Sequence, residues 1–227
     1  EHVDGYKLLL LPNVAALSDQ QCEQLRAYVK RGGSVLATFE TSLYDERGTR
    51  RRDFGLADLF GVSFDGAVAR DVKNSYIRIE PQTRHPILKG LENAGRVINT
   101  VQRVGVKPIV AFPDPPLTNV PSYPDLPMEE VYPRTPSTRT PEVFLREIDR
   151  GRVVYFPGDI DRTFWEVLSA DHGTLLRNAI EWALNEPHAV QVTGPGVLDV
   201  TAWRQSDSMT VHLVNLTNPM MMKGPLR

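Results

Sequence analysis

Carboxylates follow two strand-like segments of this sequence and are the side chains best suited to chemistry. Glu40 comes directly after the apolar run 34–39, and Asp159 and Asp161 follow the run 152–156. Chemistry in an open α/β sheet gathers at the carboxyl ends of its strands. Carboxylates brought together there could act as acid and base on a glycosidic bond, or bind a cation.

A structural role is the stronger expectation for the two aspartates. They precede the segment Arg162-Thr163-Phe164-Trp165, so they could cap a helix that begins there or pair with Arg162. Trp165 could stack on a sugar, although core packing is the role we favour for it. A structural role is also favoured over a catalytic one for the histidine near the last helix. The candidate ligand-binding residues are Glu40, Thr41, Asp159, Asp161, Arg162, Trp165 and His172.

The sequence offers little for nucleophilic or metal chemistry. A nucleophile elbow places Ser or Cys in a sharp turn after a strand, but segment 33–42 has no Cys, no Gly-x-Ser-x-Gly motif and no Gly beside the turn. The five histidines are scattered without a close ligand pair. The single cysteine, Cys22, excludes an internal disulfide framework and a Cys-rich metal site. We therefore predict no catalytic residue, no metal and no cofactor.

The overall composition disfavours two classes of partner. The 227 residues include 26 Lys and Arg against 28 Asp and Glu, and the formal net charge of -2 supplies no field for nucleic acid or an anionic membrane. No apolar run approaches the roughly 18–20 residues of a membrane span, and no signal-peptide pattern opens the sequence. We expect a soluble globular chain that binds neither nucleic acid nor membrane. The compartment stays open, since a targeting signal would lie outside this fragment.

The elements that must position the carboxylates begin with a βαβ unit. The run 7–11 is largely apolar, without alternation, as in a strand buried on both faces. Ser18 and Gln21 stand at capping-box spacing before a helix that ends at Gly32-Gly33. With the buried strand 34–39, these elements form a right-handed βαβ unit.

The middle of the chain predicts shorter elements. A short helix is expected around 55–60, and strands are expected at 76–79 and around 109–112. Nine of the 18 prolines lie between Pro113 and Pro141. This density predicts a long extended excursion without regular helix or central strand.

The last third of the α/β region predicts a hairpin and a helix. The strands are expected at 143–148 and 152–156, followed by a helix with an apolar stripe over 175–184 that Pro187 closes. Beyond Pro187 the segments 190–193, 197–203 and 209–216 predict consecutive strands, as at the beginning of a β-sandwich.

The sequence resembles a known family, the β-galactosidase trimerisation domain, over roughly residues 6–186. This domain is a class I glutamine-amidotransferase-like α/β module of family 42 and related hypothetical glycoside hydrolases. The residues that carry the resemblance are Tyr6 to Pro12, Leu17 to Gln21, Tyr28 to Leu36, His85-Pro86-Ile87, Gly90-Leu91, Gly151 to Asp159, Arg162 to Trp165 and Leu176 to Ala179.

The resemblance implies a flavodoxin-like parallel sheet with helices on both faces, a homo-oligomer, a catalytic TIM barrel upstream in the parent chain and a β-sandwich downstream. Amidotransferase relatives carry a Cys at the elbow and a His-x-Glu set at a later strand end. Glu40 or Thr41, and Asp159 with Asp161, are expected at the corresponding positions here, so amidotransferase activity is not carried over. The excursion 113–141 has no match in the family pattern.

The predicted organisation is an amidotransferase-like α/β domain over residues 1–188, incomplete at its N-terminus, and the beginning of a β-sandwich over 189–227. The predicted function is that of a non-catalytic accessory domain of a β-galactosidase-like glycoside hydrolase, acting in oligomer assembly or in shaping the substrate cleft. A carbohydrate- or cation-binding module at the carboxyl edge of the sheet, and an independent carboxylate-dependent hydrolase, remain as alternatives.

Overall fold

The chain folds as a mixed α/β structure followed by strands. A computed structural model describes residues 3, 5–124, 127–187, 190–193 and 198–216. The helices are α1 (Asp19–Lys30), α2 (Ala57–Phe60), α3 (Ile160–Val167) and α4 (Ala170–Leu184). The strands are β1 (Leu8–Leu11), β2 (Ser34–Thr38), β3 (Val62–Ala69), β4 (Tyr76–Ile79), β5 (Arg96–Ile98), β6 (Arg103–Pro108), β7 (Leu117–Val120), β8 (Phe144–Ile148), β9 (Gly151–Phe156), β10 (Leu198–Arg204) and β11 (Met209–Asn215).

The principal sheet has the strand order β1-β2-β9-β8. β1, β2 and β9 run parallel, whereas β8 is antiparallel to β9. The predicted βαβ unit is thereby confirmed as β1, α1 and β2. The predicted hairpin is confirmed as β8 and β9, with Asp149 in the left-handed conformation between them.

Two hydrophobic clusters lie on opposite faces of this sheet, because successive side chains of a strand alternate between its faces. Val35 and Ala37 of β2 pack in one cluster with residues of α1 and α2, and Leu36 packs in the other with residues of α4. Helices therefore cover both faces. The principal sheet is only partly parallel. The clusters on its two faces bury β2 and β9, which carry the predicted site residues at their ends.

Local signals place the helix ends well. Ser18 and Gln21 form a reciprocal capping box at the start of α1, with the Gln21 backbone N–H donating to the Ser18 side chain at 3.1 Å. The apolar stripe predicted over 175–184 lies in α4, whose end is marked by Asn185 in the left-handed conformation. The short helix expected around 55–60 is found as α2.

The structure corrects two predictions in the middle of the chain. The strand expected at 109–112 lies earlier, as β6, and it pairs with β3 rather than with the principal sheet. The proline-rich excursion is not free of strand: it contains β7, which pairs with β4 at the edge of the three-stranded sheet β5-β4-β7. Residues 117–120 contain no proline, so their N–H groups are free to pair, and an edge position tolerates the prolines on either side.

The C-terminal described strands form a two-stranded antiparallel sheet of β10 and β11. Leu198, Val200, Met209, Val211 and Leu213 are all exposed, and the strand register places them on one face. The strand predicted at 190–193 is wrong, since these residues adopt no regular structure. The predicted boundary near residue 188 lies outside the described residues.

β1 is an edge strand of the principal sheet, since among the described strands it pairs with β2 alone. Leu10 on this strand is 50% exposed. Lys7, at the start of the strand, forms an ion pair with Glu186 just after α4. Over the described part of the chain, no helix is both long enough and apolar enough to cross a bilayer.

Candidate functional site

The carboxyl ends of β2 and β9 lie side by side, a neighbourhood that the sequence had left open. Thr38 is in register with Phe156, and the Phe39 N–H donates to the Phe156 carbonyl at 2.8 Å. Glu40 and Thr41 follow the end of β2, and Asp159 follows the end of β9. The structure therefore brings these side chains to one edge of the sheet.

The sharp turn after β2 falls at Phe39, one residue before the positions that the resemblance indicated. Phe39 has φ +51°, a left-handed conformation that is uncommon for a bulky residue. Its carbonyl accepts a hydrogen bond of 2.7 Å from the buried Tyr155 hydroxyl. Its ring is buried below the Arg70 guanidinium, 5.8 Å from the ring centroid. The turn shares the left-handed backbone of an elbow, but the residue in it is a buried phenylalanine rather than a nucleophile.

Glu40 is held in an ion pair. The residue is 6% exposed, and its Oε1 lies 2.7 Å from Arg70 Nη2 and 3.4 Å from the Tyr44 hydroxyl. A carboxylate so placed is largely neutralised by the guanidinium. Burying the Glu40 carboxylate without a cation would cost free energy of folding, and the Arg70 guanidinium offsets part of that cost.

Thr41 has a local structural role. Its buried hydroxyl lies 2.7 Å from the Thr38 carbonyl oxygen and 3.1 Å from the Leu11 carbonyl oxygen. These contacts join the turn after β2 to the end of β1. The hydroxyl is therefore occupied by backbone acceptors.

Asp159 anchors a loop rather than capping α3. Its Oδ1 accepts hydrogen bonds from the Gln102 N–H at 2.8 Å and from the Thr163 hydroxyl at 3.2 Å. Its side chain makes no capping bond to the backbone of α3, so of the two structural roles predicted, capping or pairing, capping is not the one found. Pairing with Arg162 is found, with Nη1 3.6 Å from Oδ2. Burial raises the pKa of Asp159, while its hydrogen bonds and Arg162 oppose that rise.

Two residues that the sequence analysis missed connect the acidic groups. Arg70, just after β3, donates from Nη1 to Gln102 Oε1 at 3.0 Å, in addition to its ion pair with Glu40. Gln102, just before β6, is in turn bound to Asp159 through its backbone. A continuous chain of hydrogen bonds therefore runs from Glu40 to Asp159.

The same loop extends the sheet beyond the end of β9. The Val104 N–H donates to the Pro157 carbonyl at 3.0 Å, and the Asp159 N–H donates to the Gln102 carbonyl at 3.0 Å. Gly158 lies so close to Thr100 that a Cβ added to it would overlap the threonine side chain. The edge that is open in a simple α/β sheet is thus covered here by residues 100–104.

A second missed pair lies beside this loop. Arg103 Nε contacts both carboxylate oxygens of Glu142, at 3.0 and 3.1 Å. Both side chains are largely buried. Burial raises the pKa of Glu142, and the Arg103 charge opposes the rise. No short motif indicates this pair, because its members are joined by tertiary contacts alone.

Trp165 does not pack in the core. It lies on α3 with 76% of its surface exposed, so the packing prediction is wrong. Arg162, on the same helix, pairs with Glu166 at 2.9 Å. Asp161 is partly buried, and its Oδ1 has no hydrogen-bond partner among the described residues. Of the predicted residues, Trp165 is the one most accessible to a ligand.

His172 is buried in the first turns of α4. Its Nε2 lies 2.8 Å from the Ile98 carbonyl oxygen at the end of β5. Burial lowers the pKa of this imidazole, so the neutral form is favoured. The contact joins α4 to the three-stranded sheet, which is a structural role. Among the described residues, no three His, Cys, Asp or Glu side chains come together as a metal site.

Comparison with known proteins identifies a family over part of the chain. Residues 1–72 match the family described as the β-galactosidase trimerisation domain. No curated protein sequence is significantly similar to the chain.

Several solved structures resemble the chain over nearly its whole length. A cold-adapted β-galactosidase from Rahnella sp. R3 superposes with a TM-score of 0.68 at 15% identity, over 95% of this chain and 28% of that protein. A β-galactosidase from Bacillus circulans sp. alkalophilus gives a TM-score of 0.68 at 14% identity, over 95% and 28%. The α-L-fucosidase isoenzyme 2 from Paenibacillus thiaminolyticus superposes with a TM-score of 0.69 at 17% identity, over 96% of this chain and 31% of that protein.

The chain spans less than a third of the length of these proteins. At such low identities the superpositions show a shared fold. The resemblance found in the sequence is thereby confirmed: residues 1–72 match the β-galactosidase trimerisation domain, and the chain shares its fold with part of several glycoside hydrolases.

Proposed function

We propose that the chain is a non-catalytic accessory domain of a β-galactosidase-type glycoside hydrolase and that it acts in oligomer assembly. The match of residues 1–72 to a trimerisation domain is the observation that carries this proposal. The partners are further copies of the chain and a catalytic domain of the parent protein. The TIM-barrel form of that catalytic domain is part of the proposal, and the greater length of the structural relatives supports it.

The state of the carboxylates favours a non-catalytic role. Hydrolysis by two carboxylates requires both groups to face the glycosidic bond, one as an acid and the other as a base or nucleophile. Here Glu40 is paired with Arg70, and Asp159 is bound to the Gln102 loop. Phe39 occupies the left-handed turn where a nucleophile would stand. An independent hydrolase is therefore the least supported of the alternatives.

The proposed domain organisation divides the chain at about residue 188. The first part is a flavodoxin-like, amidotransferase-related domain, and support for it comes from the βαβ unit and the sharp turn at Phe39. The second part is the beginning of a β-sandwich. A two-stranded sheet with one exposed apolar face, such as β10 with β11, is marginal alone and gains stability when a second layer covers that face.

A carbohydrate-binding module at the carboxyl edge is a second candidate function. The observation that favours it is the exposed indole of Trp165, close in sequence to the partly buried Asp161. An exposed aromatic ring beside a carboxylate can stack on a sugar and accept hydrogen bonds from its hydroxyls.

Light scattering over a concentration series tests the leading proposal on the 227-residue chain. We expect a particle of three times the monomer mass that persists on dilution. A monomer at every concentration would overturn the assembly role. Hydrolysis of aryl glycosides at ordinary enzymatic rates would overturn the non-catalytic role, provided that the double variant Glu40→Gln, Asp161→Asn abolishes that hydrolysis.

A further inference from the structure

A long groove lies outside the candidate site and shares no residue with it. Three adjoining cavities of about 420, 400 and 930 Å³ form this groove, and they meet at Thr83 and Arg84. The loop after β4 and the proline-rich segment on either side of β7 supply most of its lining. The edge strand β8 and α4 close one end, through Leu145 and Trp182.

The groove has a preformed shape. Pro113, Pro115, Pro116 and Pro141 line it, and their fixed φ angles stiffen the wall. Backbone bonds hold the segments together: the Glu80 N–H donates to the Pro116 carbonyl at 3.0 Å, and the Glu142 N–H donates to the Leu117 carbonyl at 3.0 Å. A rigid site loses little conformational entropy when a ligand binds.

Aromatic side chains supply apolar surface. Phe112 packs edge-on against Phe144, with ring centroids 5.2 Å apart. Trp182 contacts the His85 ring, at 5.3 Å between centroids, and the Arg152 guanidinium, at 4.9 Å. These contacts fix the rings before any ligand arrives.

The charged groups of the groove are of both signs, and some of them are unpaired. Arg84, Arg139 and Asp114 line the largest of the three cavities; Arg139 and Asp114 form no ion pair with a described residue, whereas the Arg84 charge acts on Glu92 of the adjoining cavity. Glu147 lines the adjoining cavity and pairs with Arg152 at 3.2 Å. Because cations and anions are interspersed, the groove has no net charge of one sign to select a charged ligand.

We propose that this groove is a binding site for a neutral oligosaccharide. A chain of sugar rings offers hydroxyls that both donate to carboxylates and accept from guanidinium groups, so it can use Asp114, Arg84 and Arg139 together. Its C–H faces suit the apolar surface of Phe112, Trp182 and the prolines. Three adjoining cavities give room for several linked rings rather than one. This site is independent of the proposed assembly role.

The three tryptophans allow a test on the intact chain, because Trp182 alone among them lines the groove. The indole N–H signals are followed in ¹⁵N–¹H spectra during titration with cellotetraose and with β-1,4-galactotetraose. We expect at least one of these sugars to shift the Trp182 signal while Trp165 and Trp203 stay unchanged. A shift of the Trp165 signal without a shift of the Trp182 signal would overturn the proposed sugar site in the groove. It would favour a sugar site at the carboxyl edge of the principal sheet.

Matched arginine variants test the chemistry. Arg84→Ala and Arg139→Ala should each weaken binding by about tenfold, the loss expected for one hydrogen bond to a charged group. Arg47→Ala removes an exposed arginine outside the groove and should leave the affinity unchanged. Two outcomes would overturn the proposal: no shift of Trp182 with either sugar, or a Trp182 shift produced by a proline-rich peptide or a heparin tetrasaccharide and by neither neutral sugar.

Discussion

The guanidinium of Arg70 lies 2.7 Å from the carboxylate of Glu40, although the two residues belong to different sheets. Glu40 follows β2 of the principal sheet, and Arg70 follows β3 of the β3–β6 pair. The bond from Arg70 to Gln102 continues this link to Asp159. The edge where an α/β enzyme would hold its substrate is used here to fasten one sheet to another.

Replacing Arg70 should destabilise the chain. Arg70→Ala leaves the Glu40 carboxylate buried without its cation and removes the bond to Gln102. Because Arg70 is about half exposed, we expect a loss of about 1–2 kcal/mol rather than the larger cost of a fully buried pair. Urea denaturation measures the change in the free energy of unfolding.

Arg47→Ala is the matched control, since the Arg47 side chain is exposed and forms no ion pair with a described residue. It should change the free energy of unfolding by less than about 0.5 kcal/mol. The double variant Glu40→Gln, Arg70→Ala should lose less free energy of unfolding than the sum of the losses in the two single variants. Equally small changes in the free energy of unfolding for Arg70→Ala and Arg47→Ala would contradict the role of Arg70 in joining the two sheets.

Asp159 should make the chain less stable as the pH rises through the acid range. Burial raises the pKa of Asp159, so the folded state holds its proton more tightly than the unfolded state, whose aspartates titrate at about pH 3.9. Stability contributed by this group is present below the unfolded pKa and is lost as the pH rises through the folded value.

Asp159→Asn removes this dependence and keeps an oxygen for the Gln102 N–H and the Thr163 hydroxyl. Relative to the parent chain, the variant should gain stability between about pH 4 and pH 7. The check is a series of urea midpoints across that range, with the exposed Asp207→Asn as control. A parallel pH profile for parent and variant would refute the expectation.

His172 should have the opposite dependence. Its pKa is lowered by burial, so the folded state disfavours the proton that the unfolded histidine takes up at about pH 6.5. The free energy of unfolding therefore decreases as the pH falls below that value, toward the pKa of His172 in the folded state. His172→Gln retains a donor for the Ile98 carbonyl and does not titrate. The variant should lose less stability than the parent between about pH 7 and pH 5. Thermal unfolding at the two pH values checks this, with the exposed His212→Gln expected to behave like the parent.

Gly158 should tolerate no side chain. A Cβ at this position would overlap the Thr100 hydroxyl and lie 2.8 Å from its Cγ2. We expect Gly158→Ala to cost about 1–3 kcal/mol, the usual penalty of overpacking. Adding Thr100→Ala should recover part of that loss. Gly5→Ala is the control, because a Cβ there meets no atom within 4 Å. Denaturant midpoints of these three variants and of the parent chain measure the changes in stability.

The sequence predicted those parts of the fold that depend on local signals. The capping box at Ser18, the apolar strands of the βαβ unit and the stripe of α4 each follow from residues close together in the chain. These signals placed Glu40 and Asp159 each at the end of a strand, but they could not show that the two strands are neighbours. Nor could they show what covers the edge where those strands end.

The covering residues come from distant parts of the chain. Arg70 and Gln102 are ordinary polar residues in short loops, and only the pairing of β3 with β6 brings them to the ends of β2 and β9. Trp165 was misjudged for a related reason: the helical pattern of an eight-residue helix does not fix which face meets the core. Proline density likewise suggested an irregular excursion, whereas the residues between the prolines form β7.

The open side of β1 leaves part of its backbone available to another strand. A run of four leucines with unpaired backbone groups is a template onto which another chain can add, and natural edges of this kind carry charges that discourage unwanted addition. Lys7 stands at the start of the run, but its charge is engaged by Glu186. Replacing Glu186 would release that lysine at constant salt concentration, so we expect Glu186→Gln to make the addition of another strand at this edge less favourable.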